Sequence, residues 1–167
     1  MNAKDERPAF RIQRQIDEEK LVKMEQMEVV LKQALRSNLY CAESVVLAVA
    51  EGLNIRSPLI PRIASGFCSG LSRTGGTCGA VNGGIMALGL LFGRDDGEGP
   101  PDGAYDKVRT FLQRFSDAHG SCTCLELTGC DLSTEEGRNR YAEEGMMVKC
   151  YGLTRDAVSL VAEIAQG

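Results

Sequence analysis

Seven cysteines, Cys41, Cys68, Cys78, Cys122, Cys124, Cys130 and Cys150, are the residues of this chain best equipped for chemistry. Four thiolates can hold an iron–sulfur cluster or a structural zinc ion, and two can exchange a disulfide with a partner. The spacings exclude the compact versions of that chemistry. No C-x-x-C occurs, so there is no thioredoxin-type motif, and without C-x-x-C-H no c-type haem is attached. Only Cys122 and Cys124 stand close, as C-x-C. A site of several sulfurs must therefore be assembled by the fold from distant segments. The odd count leaves at least one thiol outside any all-disulfide scheme. For Cys41, which falls in an apolar helical segment, the simpler reading is a small buried hydrophobe.

Two of these cysteines lie in "SGFCSGLSRTGGTCGAVNGG", residues 65–84, among seven glycines. Such glycine density suggests a phosphate cradle, but no Lys follows as a Walker loop requires, and no strand precedes as a dinucleotide fingerprint requires. The apolar run from Cys78 to Phe92 is shorter than the roughly 20 residues of a membrane span and contains Asn82. It reads instead as a buried helix. Gly79 and Gly83, and Ala80 and Gly84, recur at a spacing of four, which strips bulk from one face and lets another helix approach. Gly75 and Gly76 form a turn, Thr77 is the expected cap, and Cys78 falls in the first helical turn. There the partial positive charge of the helix N-terminus favours a thiolate.

Other chemistry is thin. His119 is the sole histidine and stands at a helix end, where a surface imidazole complements the helix dipole. Asp95, Asp96, Glu98 and Asp102 lack EF-hand spacing and read as a solvated turn. Glu135, Glu136, Glu143 and Glu144 read as an exposed helical face. A net charge of −4 and the absence of Trp argue against nucleic-acid binding. The charged N-terminus has no apolar h-region, so a reducing, cytoplasmic compartment is expected, where repeated cysteines point to metal or redox chemistry.

The elements that must position the thiols are helical throughout, because no segment alternates with a period of two. Residues 1–9 read as a loose tail, and residues 10–167 as one helical domain. From Phe10 to Arg36, the positions Ile12, Ile16, Leu21, Met24, Met27, Leu31 and Leu35 trace one amphipathic face, suited to core packing or to a homodimer contact. "LYCAESVVLAVAEGL", with Asn38 as cap and Gly52 and Asn54 as stop, is apolar nearly all round and therefore buried. "SPLIPRIASGF" starts a helix with Ser57 as cap and Pro58 just inside. "RDDGEGPPDG" is a polar loop. "AYDKVRTFLQRFSDAHG" turns Tyr105, Val108, Leu112 and Phe115 inward. "CTCLELTGC" forms a single turn or short helix, and "STEEGRNRYAEEG" carries a capping box from Ser133 to Glu136. The last helix, "TRDAVSLVAEIAQ", has Thr154 as cap and Val158, Val161, Ala162 and Ala165 inward. The expected fold is an all-α, single-domain bundle of roughly six to eight helices.

The order "NLYCAESVV", "GTCGAVNGGIMALGLLFG", "HGSCTCLELTGCDL" and "VKCYGL" resembles the small redox-active proteins named for their C_GCAxxG_C_C signature. The resemblance covers roughly residues 27–167 and is most specific around Cys78-Gly79-Ala80-Val81-Asn82-Gly83. It implies that Cys41, Cys78, Cys124 and Cys150 are the four signature cysteines, while Cys68, Cys122 and Cys130 are additional. Cys122 competes with Cys124 for the third position. The resemblance implies a redox role with an unidentified redox partner protein, as an electron carrier or oxidoreductase. Related domains occur in a dihaem cytochrome for which an iron–sulfur centre has been proposed, though the haem motifs are missing here. Cys41, Cys78, Cys124 and Cys150 are accordingly the expected redox or ligand residues. An iron–sulfur cluster is the leading cofactor expectation, and zinc or no cofactor the alternatives. Cys68 and Cys122 are secondary metal candidates, or resolving partners if the chemistry is thiol–disulfide exchange. A helical accessory protein with merely packed cysteines is the reading from a different class.

Overall fold

The computed structural model describes residues 24–166. The expected tail over residues 1–9 and the positions Ile12, Ile16 and Leu21 lie outside the described residues. Among the described residues there are eight helices and no sheet, which is the all-α architecture expected: α1 Met24–Arg36, α2 Cys41–Gly52, α3 Cys68–Arg73, α4 Gly79–Phe92, α5 Asp102–His119, α6 Cys124–Thr128, α7 Glu135–Glu143 and α8 Met146–Gln166. A 3-10 segment, Arg62–Phe67, leads into α3.

α2 is the centre, with α1, α4 and α8 packed around it. Its near-continuous apolar sequence leaves no polar face, and Ala42, Val45, Val46, Ala48, Val49 and Ala50 are all buried. Each buried valine contributes roughly 1.5–3 kcal/mol by leaving water. The glycine spacing on α4 serves close approach. A Cβ on Gly83 would stand 2.7 Å from Val45 Cβ and 2.9 Å from the Ala42 carbonyl, one on Gly79 would collide with Cys41 Sγ, and one on Gly84 would strike the Phe111 ring. α4 is thus pressed to α2 along one face and to α5 along another.

Several local boundaries differ from the sequence reading. Asn38 does not cap α2; it adopts a left-handed conformation (φ 62°) after α1, and Tyr40 is the N-cap. α2 therefore begins at Cys41, whose thiol sits at a helix start rather than inside. Ser57 accepts from the Leu59 N–H at 3.3 Å, but it heads turns and the 3-10 segment, not an α-helix. Tyr105 is exposed, and Phe111 and Phe115 are the fully buried residues of α5. The α7 cap is Thr134, which accepts from Gly137 N–H at 3.0 Å, because Ser133 is drawn into hydrogen bonds with Asp131. Thr154 lies mid-helix and donates to the Tyr151 carbonyl, so the last helix starts eight residues earlier than the cap signal indicated, at Met146. Val158, Val161 and Ala162 are buried, joined by Ile164.

α3 is the unusual element. Ser69, Gly70, Leu71 and Ser72 have φ from 54° to 68° with positive ψ, and Arg73 has φ 72°. This is a left-handed turn, which costs L-residues about 1–2 kcal/mol each. It is held by Ser72 Oγ donating to the Gly66 carbonyl (2.9 Å), by Thr74 Oγ1 donating to the Gly70 carbonyl (3.0 Å), and by the Gly76 N–H reaching the same carbonyl (3.1 Å). Gly70 is required there twice over: its φ is 68°, and an added Cβ would lie 2.5 Å from Cys124 Cβ.

Candidate redox site

Four separate elements deliver four thiols to one cavity. Cys41 opens α2, Cys78 precedes α4, Cys124 opens α6 and Cys150 lies in the second turn of α8; all four line a cavity of about 260 Å³. Two extended stretches set Cys78 beside Cys124. Thr77 pairs with Thr123, Cys78 N–H donates to the Cys122 carbonyl and Cys124 N–H to the Gly76 carbonyl, both at 2.8 Å. Asn82, buried in α4, donates to the carbonyls of Phe67 (3.2 Å) and Thr77 (3.1 Å), tying both ends of the intervening loop to the helix. Glu43 ties α2 to the segment before Cys68, accepting from the Tyr40 N–H at 2.8 Å and the Ser65 hydroxyl at 2.5 Å.

The thiols differ in acidity for identifiable reasons. Cys41 is pushed down to about 6, first by a hydrogen bond from the Cys68 thiol and then by the N–H groups of Ser69, Ala42 and Cys41 itself, against the cost of burial. The Ser69 nitrogen stands 3.4 Å from Cys41 Sγ, aimed there by the left-handed turn. Cys68 is pushed up by the neighbouring Cys41 sulfur and by burial. Cys78 was the residue expected to be the activated thiolate; the structure corrects this. It is the N-cap of α4, not part of the first turn, and burial drives its thiol up to about 12 despite N–H groups of Ala80 and Val81. Burial likewise raises Cys124 to about 11, and raises Cys150, where the Tyr141 hydroxyl bond opposes the shift. Negative charge on Cys41 adds to the rise at Cys78, Cys124 and Cys150.

The remaining cysteines are outside the lining. Cys68 packs against Cys41, its thiol donating to the Ala64 carbonyl at 3.7 Å. Cys122 reaches toward the Leu112 carbonyl at 3.8 Å, so Cys124, not Cys122, is the C-x-C member in the cavity. Cys130 is buried against Leu132 and Cys124. Among the described residues, no three His, Cys, Asp or Glu side chains are gathered as a ready ligand set for a metal ion. His119 packs on Phe115, with ring centroids 4.5 Å apart, and faces Asp156 at 3.5 Å, away from the cavity lining. It closes α5 as its position suggested, though half-buried rather than on the surface. Glu135, Glu136, Glu143 and Glu144 are exposed, as their spacing indicated.

Sequence reading missed the pairing of Cys68 with Cys41, the Ser69 N–H donor and the Tyr141 partner of Cys150. The Ser-Gly pair in "CSGLSR" was the signal for a left-handed excursion, but Leu71 and Arg73 within it carry none. No helix among the described residues is long and apolar enough to cross a membrane. No curated protein and no solved structure matches the chain significantly. The model of one family, described as "putative redox-active protein (C_GCAxxG_C_C)", matches residues 39–164, from just before Cys41 to beyond Cys150. With most of its length matched, the chain belongs to the C_GCAxxG_C_C redox-active protein family.

Proposed function

We propose that the chain is a thiol–disulfide redox protein in which Cys41 is the attacking thiolate and Cys68 the resolving thiol. One observation carries this reading: Cys41 Sγ packs against Cys68 and accepts the Ser69 N–H at 3.4 Å, an environment that drives Cys41 toward the thiolate. The thiolate is the nucleophile in exchange, and an optimal attacking thiol has a pKa near ambient pH. Cys41 S⁻ attacks one sulfur of a substrate disulfide, forming a mixed disulfide and expelling the other half as a thiolate. Cys68 gives up its proton to that leaving thiolate and attacks Cys41 Sγ, expelling the second half. Two protein thiols are oxidised and one disulfide is reduced; a dithiol partner protein returns the pair to the reduced state.

The test is peptide mapping after anaerobic purification and brief exposure to the linear disulfide bis(hydroxyethyl) disulfide. The expected product is a Cys41–Cys68 disulfide, absent in Cys41→Ser and replaced by a mixed disulfide on Cys41 in Cys68→Ser. Seven thiols that all stay reduced would sink the proposal.

A second reading keeps Cys41, Cys78, Cys124 and Cys150 as holders of an iron–sulfur cluster, favoured by the four thiols sharing one cavity. The donor type suits such a group, which would supply one-electron transfer, or a zinc ion. The sulfurs as they stand are not gathered into a ligand set and would have to draw together. Iron, sulfide and zinc analysis of anaerobically purified protein tests it; metal-free protein with intact thiols rejects it.

A further inference from the structure

The cavity beside Cys41 has a charge character that its cysteines do not explain. Arg73 and Arg138 line it, and no Asp, Glu or Lys is among the described residues that do. In a chain of net charge −4, that is a local reversal of sign. Arg73 ends the left-handed turn that aims Ser69 N–H at Cys41, and its side chain has no ion pair or hydrogen bond to any described residue. Arg138 gives Nη1 to the carbonyls of Leu132 and Ser133, each at 3.0 Å, which fixes the guanidinium in place. Its charge meets no carboxylate among the described residues, and its remaining N–H groups are left to donate.

A guanidinium is built to bind carboxylate or phosphate, and two of them facing a low-polarity chamber strengthen each other's effect on an anion. The rest of the wall is largely apolar, including Leu35, Leu39, Leu132 and Leu153. At about 260 Å³ the chamber falls below the roughly 300–1,000 Å³ of drug-sized ligand sites, so it suits a group the size of an amino acid.

We propose that this cavity is a binding site for small anionic disulfides, compounds carrying a carboxylate within a few bonds of the S–S group, with Arg73 and Arg138 holding the carboxylate and Cys41 facing the sulfur. The inference rests on the thiol–disulfide reading of the same site. Attack by Cys41 S⁻ forms the Cys41–substrate disulfide as the substrate S–S bond breaks, and the departing half leaves as its thiolate. Attack by Cys68 on Cys41 then releases the retained half, so one disulfide is reduced for each Cys41–Cys68 pair oxidised.

The experiment compares three disulfides of similar size on the full chain: dithiodiglycolate (dianion), bis(hydroxyethyl) disulfide (neutral) and cystamine (dication). The initial rate at Cys41, read by mass spectrometry, is normalised to the rate of each compound with free mercaptoethanol. The expected order is dianion over neutral over dication, with about tenfold between the first two, the scale of one charge-assisted hydrogen bond. Arg73→Asn tolerates the left-handed backbone, and Arg138→Gln retains a donor for the two carbonyls. Each cuts the preference severalfold, and the double variant erases it. Equal normalised rates in the wild-type chain, or a preference that survives in the double variant, overturn the anion site while leaving the thiol chemistry standing. A Cys41 that reacts with none of the three overturns both.

Discussion

Cys41 and Cys78 stand at the starts of two helices that pack face to face, α2 and α4, yet their thiols shift in opposite directions. A helix N-terminus is common to both, so the macrodipole does not decide the outcome. Its contribution of about 0.3–1 kcal/mol is smaller than the cost of burying an unpaired thiolate. What differs is the count and kind of donors aimed at the sulfur. Cys41 has the Cys68 thiol packed beside it and an N–H from outside its own helix, that of Ser69; Cys78 has only N–H groups of its own first turn. The largest expected consequence is kinetic. At pH 7 the thiolate fractions implied by values of about 6 and about 12 differ by about five orders of magnitude. The lower intrinsic nucleophilicity of the more acidic thiol takes back between two and three of them, roughly. Iodoacetamide at pH 7 should therefore label Cys41 about a hundredfold faster than Cys78, read residue by residue by mass spectrometry. Equal rates would dissolve the contrast.

The second way to break the contrast is to push the two helix starts apart. Gly79→Ala places a methyl group on Cys41 Sγ. Overpacking of this kind costs about 1–3 kcal/mol, and here the cheapest relief is to swing the sulfur off the Ser69 N–H. The expected outcome is a lowered denaturation midpoint together with loss of the fast labelling of Cys41. Gly89→Ala, on the same helix, is the control. An added Cβ there meets nothing within 4 Å, so it should be neutral or stabilising by up to about 1 kcal/mol. Were Gly79→Ala to behave like Gly89→Ala, the close approach of α4 to Cys41 would be without consequence.

This pair also marks the limit of legibility in the sequence. Apolar periodicity and the four-residue glycine spacing are local, so the all-helical class, the buried α2 and the close face of α4 could be read directly. The shared cavity could not, since its thiols come from positions 41, 78, 124 and 150, and nothing local encodes their meeting. The start of α2 was misplaced by the ordinary cap rule. Asn38 has the right residue type, but it serves as the left-handed stop of α1, and that small displacement turned Cys41 from a packed residue into a helix-start thiol. The left-handed α3 was least legible of all, because Leu71 and Arg73 adopt a conformation their own preferences oppose. Only the hydrogen bonds gathered around Gly66 and Gly70 impose it.

A smaller effect sharpens the role of the donor from Cys68. In Cys68→Ala the thiol beside Cys41 that does most to lower it is gone, while the Ser69, Ala42 and Cys41 N–H groups remain. The midpoint of Cys41 labelling against pH should move upward, with labelling at pH 6.5 slowed severalfold, and Cys78 should be unchanged. An unmoved Cys41 midpoint would assign the effect to the backbone donors alone.

The smallest expected effect is on stability, and its sign separates the two helix starts. Between about pH 6 and pH 9 the unfolded chain keeps a proton on Cys41 that the native chain has lost, so this residue makes stability rise with pH across that window. Its contribution is present above the unfolded value of 9.0 and lost as pH falls through the native one. Between about pH 9 and pH 12 the native chain keeps a proton on Cys78 that the unfolded chain has released, so Cys78 makes stability fall. Cys124 and Cys68 act in the same direction as Cys78. Thermal denaturation of the wild-type chain and of Cys41→Ser, compared at equal pH, cancels the carboxylates and the single histidine. The difference between them should grow steadily from pH 6 to pH 9, read as a widening gap in Tm. Cys78→Ser should differ from wild type increasingly above pH 9 instead, with the serine variant the less alkali-sensitive. Parallel curves for both variants would mean that the two thiols share one environment, and the distinction between the starts of α2 and α4 would fall with them.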